Sequence, residues 1–117
     1  MLSAMRKANA KALRRAGAYV RKTAVNAVSR SSKASQPGTP PNTRKGLLKR
    51  SILFGVDKER QAVVIGPAKS LIGISMIAHE FGGMYRRRKY PKRPLMGPSL
   101  LKAAPQLSRL WENALKP

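Results

Sequence analysis

Residues 48–67 have the sequence LKRSILFGVDKERQAVVIGP, in which two apolar runs flank a polar tetrapeptide. The first run alternates apolar and polar side chains, as expected of a half-buried strand. Its apolar side carries Leu48, Ile52, Phe54 and Val56. The second run, residues 62–65, is rich in β-branched residues, and Gly66-Pro67 ends it. Because Asp57-Lys58-Glu59-Arg60 suits a turn, the stretch predicts two antiparallel strands joined as a hairpin.

Upstream of this hairpin, apolar and small residues recur at the three- and four-residue spacing of a helix. They are Leu2, Met5, Ala8, Ala12, Leu13, Ala16, Tyr19, Val20, Ala24, Ala27 and Val28. The pattern predicts an amphipathic N-terminal helix over residues 1–29. Basic side chains, among them Arg14 and Arg15, fall mainly on the opposite face, and no acidic residue precedes Asp57. Such a stripe is typical of a solvated face, and the alternative is a surface dedicated to nucleic acid.

A region rich in serine, proline and glycine follows the helix at residues 29–42. Its run Pro37-Gly38-Thr39-Pro40-Pro41 lacks amide donors that a helix needs and restricts each residue before a proline. We therefore predict a Pro/Ser-rich loop over residues 30–47. A single short proline cluster favours a connector over a polyproline II ligand.

The sequence downstream of the hairpin is less regular. Residues 71–81 suit either a short helix or a strand, and Gly82-Gly83 ends whichever forms. Residues 85–95 indicate a basic β-ribbon or loop. A C-terminal helix is predicted over residues 98–116, because Pro98 suits a first turn and the apolar residues keep helical spacing. Pro105 lies inside this helix and is expected to kink or split it.

Together these elements predict a single α+β domain over residues 1–117. A small antiparallel β-sheet with a basic ribbon, residues 48–97, is flanked by the long N-terminal helix and the C-terminal helix. A length of 117 residues with 42% hydrophobic content suffices for one core and not for two. No apolar run approaches the roughly 18 residues of a membrane span, and no secretory signal is present, so we expect no membrane association.

The charge is the most unusual feature of the composition. The chain has 25 Lys and Arg against 4 Asp and Glu, a formal net charge of +21. Because such a charge repels itself, a polyanionic neighbour is expected. The charge does not distinguish DNA, RNA, an acidic protein surface or a membrane surface, since the electrostatic attraction carries no sequence information. The absence of cysteine excludes disulfides and thiolate metal sites and fits a reducing compartment.

Candidate catalytic residues are few. The only histidine adjoins a carboxylate as His79-Glu80, but a zincin helix needs a second histidine. We favour a structural histidine over acid–base work by this pair, because no other acids cluster with it. With four acidic residues and no phosphate-binding glycine motif, we expect no enzyme activity, no metal and no cofactor. Glu80 is expected to pair with an arginine or to accept backbone amides.

The densest basic run has six cations in eight residues, at Arg86, Arg87, Arg88, Lys89, Lys92 and Arg93. Packing these cations together costs repulsion that a polyanion or an acidic surface relieves. They are therefore candidate anion or partner contacts, as are Arg14 and Arg15 on the N-terminal helix. The alternative is a solvated, partly mobile loop.

Three further stretches, taken in order, resemble a known family. Residues 40–52 read PPNTRKGLLKRSI, residues 77–83 read IAHEFGG and residues 92–100 read KRPLMGPSL. They resemble the approach to the first strand, the E-x-G element and the R-P-F-(L/M)-x-P-A-L start of the last helix in small tail-completion and head-to-tail joining (neck) proteins of tailed bacteriophages. With the leading helix, the resemblance spans nearly the whole chain. The structural motif residues that it marks are Glu80, Gly82, Gly83, Pro94 and Pro98.

The resemblance implies a helix-flanked antiparallel sheet that assembles as a homo-oligomeric ring, expected to be a hexamer. Made in the host cytoplasm, such a ring lies at the neck or tail top of the virion. It connects the portal connector or adaptor to tail tube or terminator proteins, with possible contact to packaged DNA. The alternative is a small basic nucleic-acid-binding protein of ribosomal or nucleoid type. The basic run favours that alternative, whereas few aromatics, the lack of an RNA-binding signature and the order of the motifs argue against it.

Overall fold

Helix α1, Leu2–Ala27, is the longest element of the computed structural model, which describes residues 2–72, 79–85 and 87–115. Its 26 residues span roughly 39 Å at 1.5 Å per residue, in a body whose longest dimension is 54 Å. Its buried face consists of Ala12, Leu13, Ala16, Val20 and Ala24. The predicted amphipathic helix is therefore confirmed, with a C-terminal boundary two residues earlier than expected from the sequence.

The predicted first strand is preceded by a short helix. Helix α2, Leu47–Ser51, leads directly into strand β1, Ile52–Asp57. Gly46 precedes the helix with φ of 80°, a left-handed conformation that glycine adopts at no steric cost. The expectation that Leu48 begins the strand is wrong. Leu48 and Ile52 are four residues apart, a spacing that places two side chains on the same face of a helical turn or of a strand. Both side chains are buried, so the sequence pattern fits either structure.

The predicted hairpin is confirmed. Strand β1 pairs antiparallel with β2, Ala62–Pro67, in a register that runs from Ile52 opposite Pro67 to Asp57 opposite Ala62. The turn connects Asp57 to Ala62, and the Asp57 carboxylate accepts a hydrogen bond from the Arg60 amide at 3.2 Å. The short side chain at the start of the turn thus satisfies a backbone donor, which is a common role of aspartate in turns.

The hairpin packs on α1 at a glycine. A Cβ atom built on Gly17 would lie 2.5 Å from the Phe54 ring and 2.9 Å from a Val63 methyl group. Arg21, one turn further along α1, donates from Nε to the Ile52 carbonyl at 2.6 Å. The opposite face of the hairpin is open, because Val64 is 71% exposed. Among the described residues, helices therefore cover the hairpin on one side only.

A second hairpin follows the first after a short helix, α3, Lys69–Ile72. Residues 79–81 are helical and end at Gly82, whose φ is 74°. The remainder of the region that suited either helix or strand, residues 73–78, lies outside the described residues. Strands β3, Gly83–Tyr85, and β4, Arg88–Tyr90, pair antiparallel. They form a two-stranded sheet separate from β1–β2. Of the predicted basic ribbon or loop at residues 85–95, the strands include only Tyr85 and Arg88–Tyr90, and residues 91–95 belong to no strand.

The last helix, α4, spans Met96–Leu115 and runs antiparallel to α1. Leu95, directly before α4, joins Ala24 and Val28 near the end of α1 in the main buried cluster. Trp111, near the end of α4, donates from its indole nitrogen to the side-chain oxygen of Asn9 at 2.7 Å. The helix begins two residues before the predicted start at Pro98, and Lys116 lies outside the described residues. The predicted α+β fold class is confirmed.

Pro105 does not split α4, which is continuous through it. A proline in a helix frees the carbonyl four residues earlier, here that of Leu101. Leu101 is 77% exposed and Pro105 is also exposed. The lost hydrogen bond therefore lies on the exposed side of α4, where solvent can satisfy the carbonyl. No helix among the described residues is both long and apolar enough to cross a membrane.

We predict that Gly17→Ala destabilises the protein by about 1 kcal/mol. Helix propensity favours alanine by about 1 kcal/mol, but the new methyl group overpacks the contact with Phe54 and Val63, which costs roughly 1–3 kcal/mol. Urea unfolding followed by circular dichroism measures the difference. As the matched control, Gly55→Ala on the open face of β1, where no atom lies within 4 Å of the new Cβ, is expected to be neutral or stabilising. Gly17→Ala that is as stable as wild type would contradict the close approach.

Candidate functional site

Glu80 binds the start of helix α4. One carboxylate oxygen accepts the backbone amides of Leu95 at 2.9 Å and Met96 at 2.8 Å, and the other accepts that of Gly97 at 3.2 Å. A helix start leaves four N–H groups without helical partners. The fourth residue here is Pro98, which has no N–H. One carboxylate therefore satisfies every donor at this helix start, and its negative charge lies at the positive end of the helix dipole.

This contact places Glu80 in the second of the two roles expected from the sequence, that of accepting backbone amides. It also explains why a glycine suits position 97. A Cβ atom at Gly97 would lie 3.3 Å from the Glu80 carboxylate, so a larger residue would press on the bound oxygen. Gly82 and Gly83 have φ of 74° and 126° and turn the chain from residues 79–81 into β3. Pro94 lies half-buried in the segment that leads to α4.

The Pro/Ser-rich loop is attached to the same region. The Arg93 amide donates to the His79 carbonyl at 2.6 Å, and the Gly38 amide donates to the Lys92 carbonyl at 2.7 Å. The Arg93 side chain donates from Nε to the Ser35 carbonyl at 2.9 Å. The base of the loop is closed by a parallel bridge between Arg30 and Thr43. The loop is therefore an ordered part of the fold.

A cavity of about 430 Å³ lies where these segments meet. Its polar lining residues are Ser35, Asn42, Thr43, Arg44, Lys45, His79 and Arg93. Leu48 and Ile72 contribute apolar wall. Each of the three stretches that resemble neck proteins supplies a residue to this lining. Residues far apart in the sequence thus line one cavity, whose wall is mostly apolar and carries several cationic side chains.

His79 is half-buried in this cavity wall. Its ring contacts Tyr90 edge to face, with ring centroids 5.1 Å apart. Burial lowers the pKa of His79 below its ordinary value of 6.5, and the nearby Arg93 charge lowers it further. The imidazole is therefore neutral at pH 7. Its Nδ1 atom is buried and has no hydrogen-bond partner among the described residues.

The six cations of the predicted ribbon do not share one environment. Arg87, at the turn of the β3–β4 hairpin with φ of 65°, is exposed, as are Lys89 and Lys92. Arg93 is half-buried and bonded to the Ser35 carbonyl, so part of its donor capacity is used inside the protein. Arg88 begins strand β4, and Arg86 lies outside the described residues.

Arg14 and Arg15 also differ in their surroundings. Arg14 lines an open groove of about 990 Å³ between α1 and the end of the first hairpin, whereas Arg15 is exposed outside it. The other cations that line this groove are Arg6, Lys7, Lys11 and Lys58. No acidic or aromatic residue is among its lining residues, and its apolar part includes Ala10, Leu13 and Val56. The sequence did not identify the groove, because the hairpin residues that complete it lie more than 40 positions from the α1 residues that line it.

Side-chain hydrogen bonds join three elements near the start of α1. Asn9 accepts from Trp111 and donates from its side-chain nitrogen to Gln61 at 2.7 Å. It thereby joins α4, α1 and the turn of the first hairpin. No sequence signal indicated this role, since an asparagine on the polar side of a helix is usually solvated.

Comparisons with known proteins returned no match to a protein family, to a curated protein or to a solved structure. Among the described residues, no group of three or more His, Cys, Asp or Glu side chains is placed to hold a metal ion.

We predict that Glu80→Gln destabilises folding by about 1–2 kcal/mol. The amide retains one oxygen acceptor but loses the charge and the second acceptor, and charged hydrogen bonds are the stronger ones. Urea unfolding at neutral pH measures the change. Glu112→Gln, on an exposed position of α4, removes the same charge and is expected to change stability by less than about 0.5 kcal/mol. Equal effects of the two substitutions would show that Glu80 does not act through the helix start.

Proposed function

We propose that this protein is a structural component of the virion of a tailed bacteriophage. In this role it forms a ring at the head–tail junction and connects the portal connector to the tail, as a tail-completion, terminator or joining protein. The observation that carries the proposal is the contact between Glu80 and the start of α4. Two of the stretches that resemble neck proteins are bonded to each other there, and the third lines the adjoining cavity.

Uncovered apolar surface supports assembly into an oligomer. The outer face of the first hairpin exposes Leu53 and Val64, and the second hairpin region leaves Phe81 76% exposed and Met84 67% exposed. In the described part of the chain, each of the four strands pairs with one neighbour only. Free strand edges and apolar patches of this kind favour association. Neighbouring copies in a closed ring would cover both.

The charge supports a virion location beside an anionic partner. The only salt bridge among the described residues joins Arg60 and Asp57 at 3.8 Å, and both side chains are substantially exposed. The Glu80 carboxylate is bound to backbone amides. The 4 acidic side chains offset only a small part of the 25 basic ones, so the net charge of +21 must be balanced from outside the protein. Packaged DNA and acidic connector or tube surfaces are the partners that a neck ring offers.

We predict that the purified protein forms one discrete oligomer at moderate salt, with six copies expected. Light scattering coupled to size exclusion measures the mass. Val64→Glu should convert the oligomer to monomers, because it places a charge on the open face of the hairpin. Ser108→Glu, an exposed change on α4, serves as the control for charge. A wild-type protein that is strictly monomeric, both in solution and within assembled virions, would refute the ring.

The joining role has a direct test in phage assembly. Particles made without the protein should contain filled heads and separate tails, because a joining protein connects two structures that form independently. Electron microscopy of lysates from a deletion mutant shows this, and complementation with the wild-type gene should restore joined particles. Normal infectious particles in the absence of the protein would refute the role.

The exposed basic side chains of the second hairpin, together with Lys92 just after it, favour one alternative, a small nucleic-acid-binding protein. Replacing Arg87, Lys89 and Lys92 with Ser should then flatten the slope of log affinity against log salt by about three units. The matched control replaces Arg109, Lys33 and Lys102, which are also exposed. A monomer whose DNA affinity falls only with the hairpin triple would favour the alternative. Unchanged DNA affinity with failed virion assembly would favour protein docking by the hairpin.

A further inference from the structure

The open groove between α1 and the end of the first hairpin is the largest concave surface described above. Its volume is about 990 Å³, and its lining residues on α1 run from Ser3 to Arg14. These positions span about 16 Å, since a helix rises 1.5 Å per residue. The groove is therefore long enough to receive about three turns of a helix, or a shorter extended segment, from a partner.

The groove combines an apolar part with cations on both of its walls. Leu13 is buried, whereas Ala10 and Val56 are only half-buried and leave carbon atoms for a partner to cover. The lining cations are exposed side chains, and no salt bridge among the described residues includes any of them: Arg6, Lys7, Lys11 and Arg14 on α1, and Lys58 on the hairpin. No acidic residue lines the groove. Its charge must therefore be balanced by whatever binds there.

A hydrogen bond holds the two walls of the groove together. Asn9 on α1 and Gln61 in the hairpin both line it, and the Asn9 side chain donates to the Gln61 side-chain oxygen at 2.7 Å. Asn9 also accepts from Trp111, so α4 fixes the same residue. Gln61 has φ of 48°, a left-handed conformation that is uncommon for a residue other than glycine. The groove is thus formed before a partner binds, as most binding sites are.

We propose that this groove binds an acidic amphipathic segment of another protein. Apolar side chains of the segment cover Ala10 and Val56, and its carboxylates lie beside the cations of the two walls. A second copy of this chain is a poor match, because in no stretch of the sequence do acidic residues outnumber basic ones by more than one. The groove belongs to a single chain, so the inference does not depend on assembly into a ring.

The apolar part of the groove favours a polypeptide over a nucleic acid. A phosphate backbone would satisfy the cations but would leave Ala10 and Val56 uncovered. Nucleic acids bound without sequence preference also stack their bases on aromatic side chains, and no aromatic residue lines this groove. An acidic amphipathic segment matches both the charge and the carbon surface.

The experiment uses a synthetic peptide of about 14 residues, with Leu and Glu at helical spacing, so that one face is apolar and the other acidic. A second peptide has Gln in place of each Leu, and an oligothymidylate carries the same number of negative charges. Fluorescence anisotropy of labelled probes measures their affinities at physiological salt. We expect saturable binding of the amphipathic peptide, at least about tenfold tighter than that of either control, because only this peptide buries apolar surface as well.

Trp111 gives a second readout, since it is the only tryptophan and its hydrogen-bond partner Asn9 lines the groove. Unlabelled amphipathic peptide should shift the Trp111 emission with the same midpoint as the anisotropy curve.

A charge-matched pair of variants locates the binding on α1. Replacing Lys7 and Arg14 with Ser should weaken binding of the amphipathic peptide about tenfold, because two ion contacts at the groove are lost. The control replaces Arg15 and Lys22 with Ser. Both are exposed cations of the same helix outside the groove, and the control variant should bind within about twofold of wild type, the effect of a general loss of charge.

A second pair tests the apolar part without changing the charge. Ala10→Gln fills the groove and should weaken binding at least about fivefold, since the partner's apolar side chains lose their contact surface. Ala18→Gln, exposed on α1 outside the groove, should have no effect. Circular dichroism checks that both variants keep the helix, in which Gln is well tolerated. Equal effects within either pair of variants, or an oligothymidylate that binds as tightly as the amphipathic peptide, would overturn the proposal.

Discussion

The start of a helix exposes backbone N–H groups that must be satisfied, and in this chain the carboxylate of Glu80 satisfies all those present at α4. The orientation of α4 follows from this contact. Leu95, directly before the helix, lies in the buried cluster with Ala24 and Val28. One charged side chain thus fixes the end of α4 that packs against α1, whereas the first hairpin has its own contacts with α1 at Gly17 and Arg21.

The scarcity of acidic residues constrains the rest of the molecule. Asp57 is used in a turn and Glu80 at a helix start, so neither neutralises a basic cluster. Among the described residues, three arginines donate to backbone carbonyls instead, and one of them, Arg50, donates to that of Lys45 at 3.4 Å. Arg21 bonds the Ile52 carbonyl and Arg93 bonds that of Ser35. A few of the cationic side chains are thus bonded to neutral backbone carbonyls. The others are left for solvent or for a partner.

The elements with long or regular patterns could be predicted from the sequence, and those decided by a single residue could not. The periodicity of α1 and the turn-flanking runs of β1 and β2 are local signals. Helix α2 was missed because spacing of four suits both a helix and an alternating strand, and the left-handed Gly46 decided between them.

At the candidate site, the role of Glu80 could be anticipated from its neighbouring glycines and the lack of other acids. The cavity could not be anticipated, because it needs Arg93 to reach Ser35 across 58 positions. The same holds for the groove on α1, where Arg14 and Arg15 look alike in sequence and only the hairpin distinguishes them. Contacts between segments that are far apart in the sequence produce no local sequence pattern from which they could be predicted.

The bond between Trp111 and Asn9 joins residues 102 positions apart. The entropy cost of closing so long a loop must be met before the contact forms, so the bond belongs to the slow, non-local stage of folding. Both hairpins, by contrast, close over a few residues and can form early. Because Trp111 is the only tryptophan, its fluorescence reports the docking of the two long helices separately from the formation of the sheets.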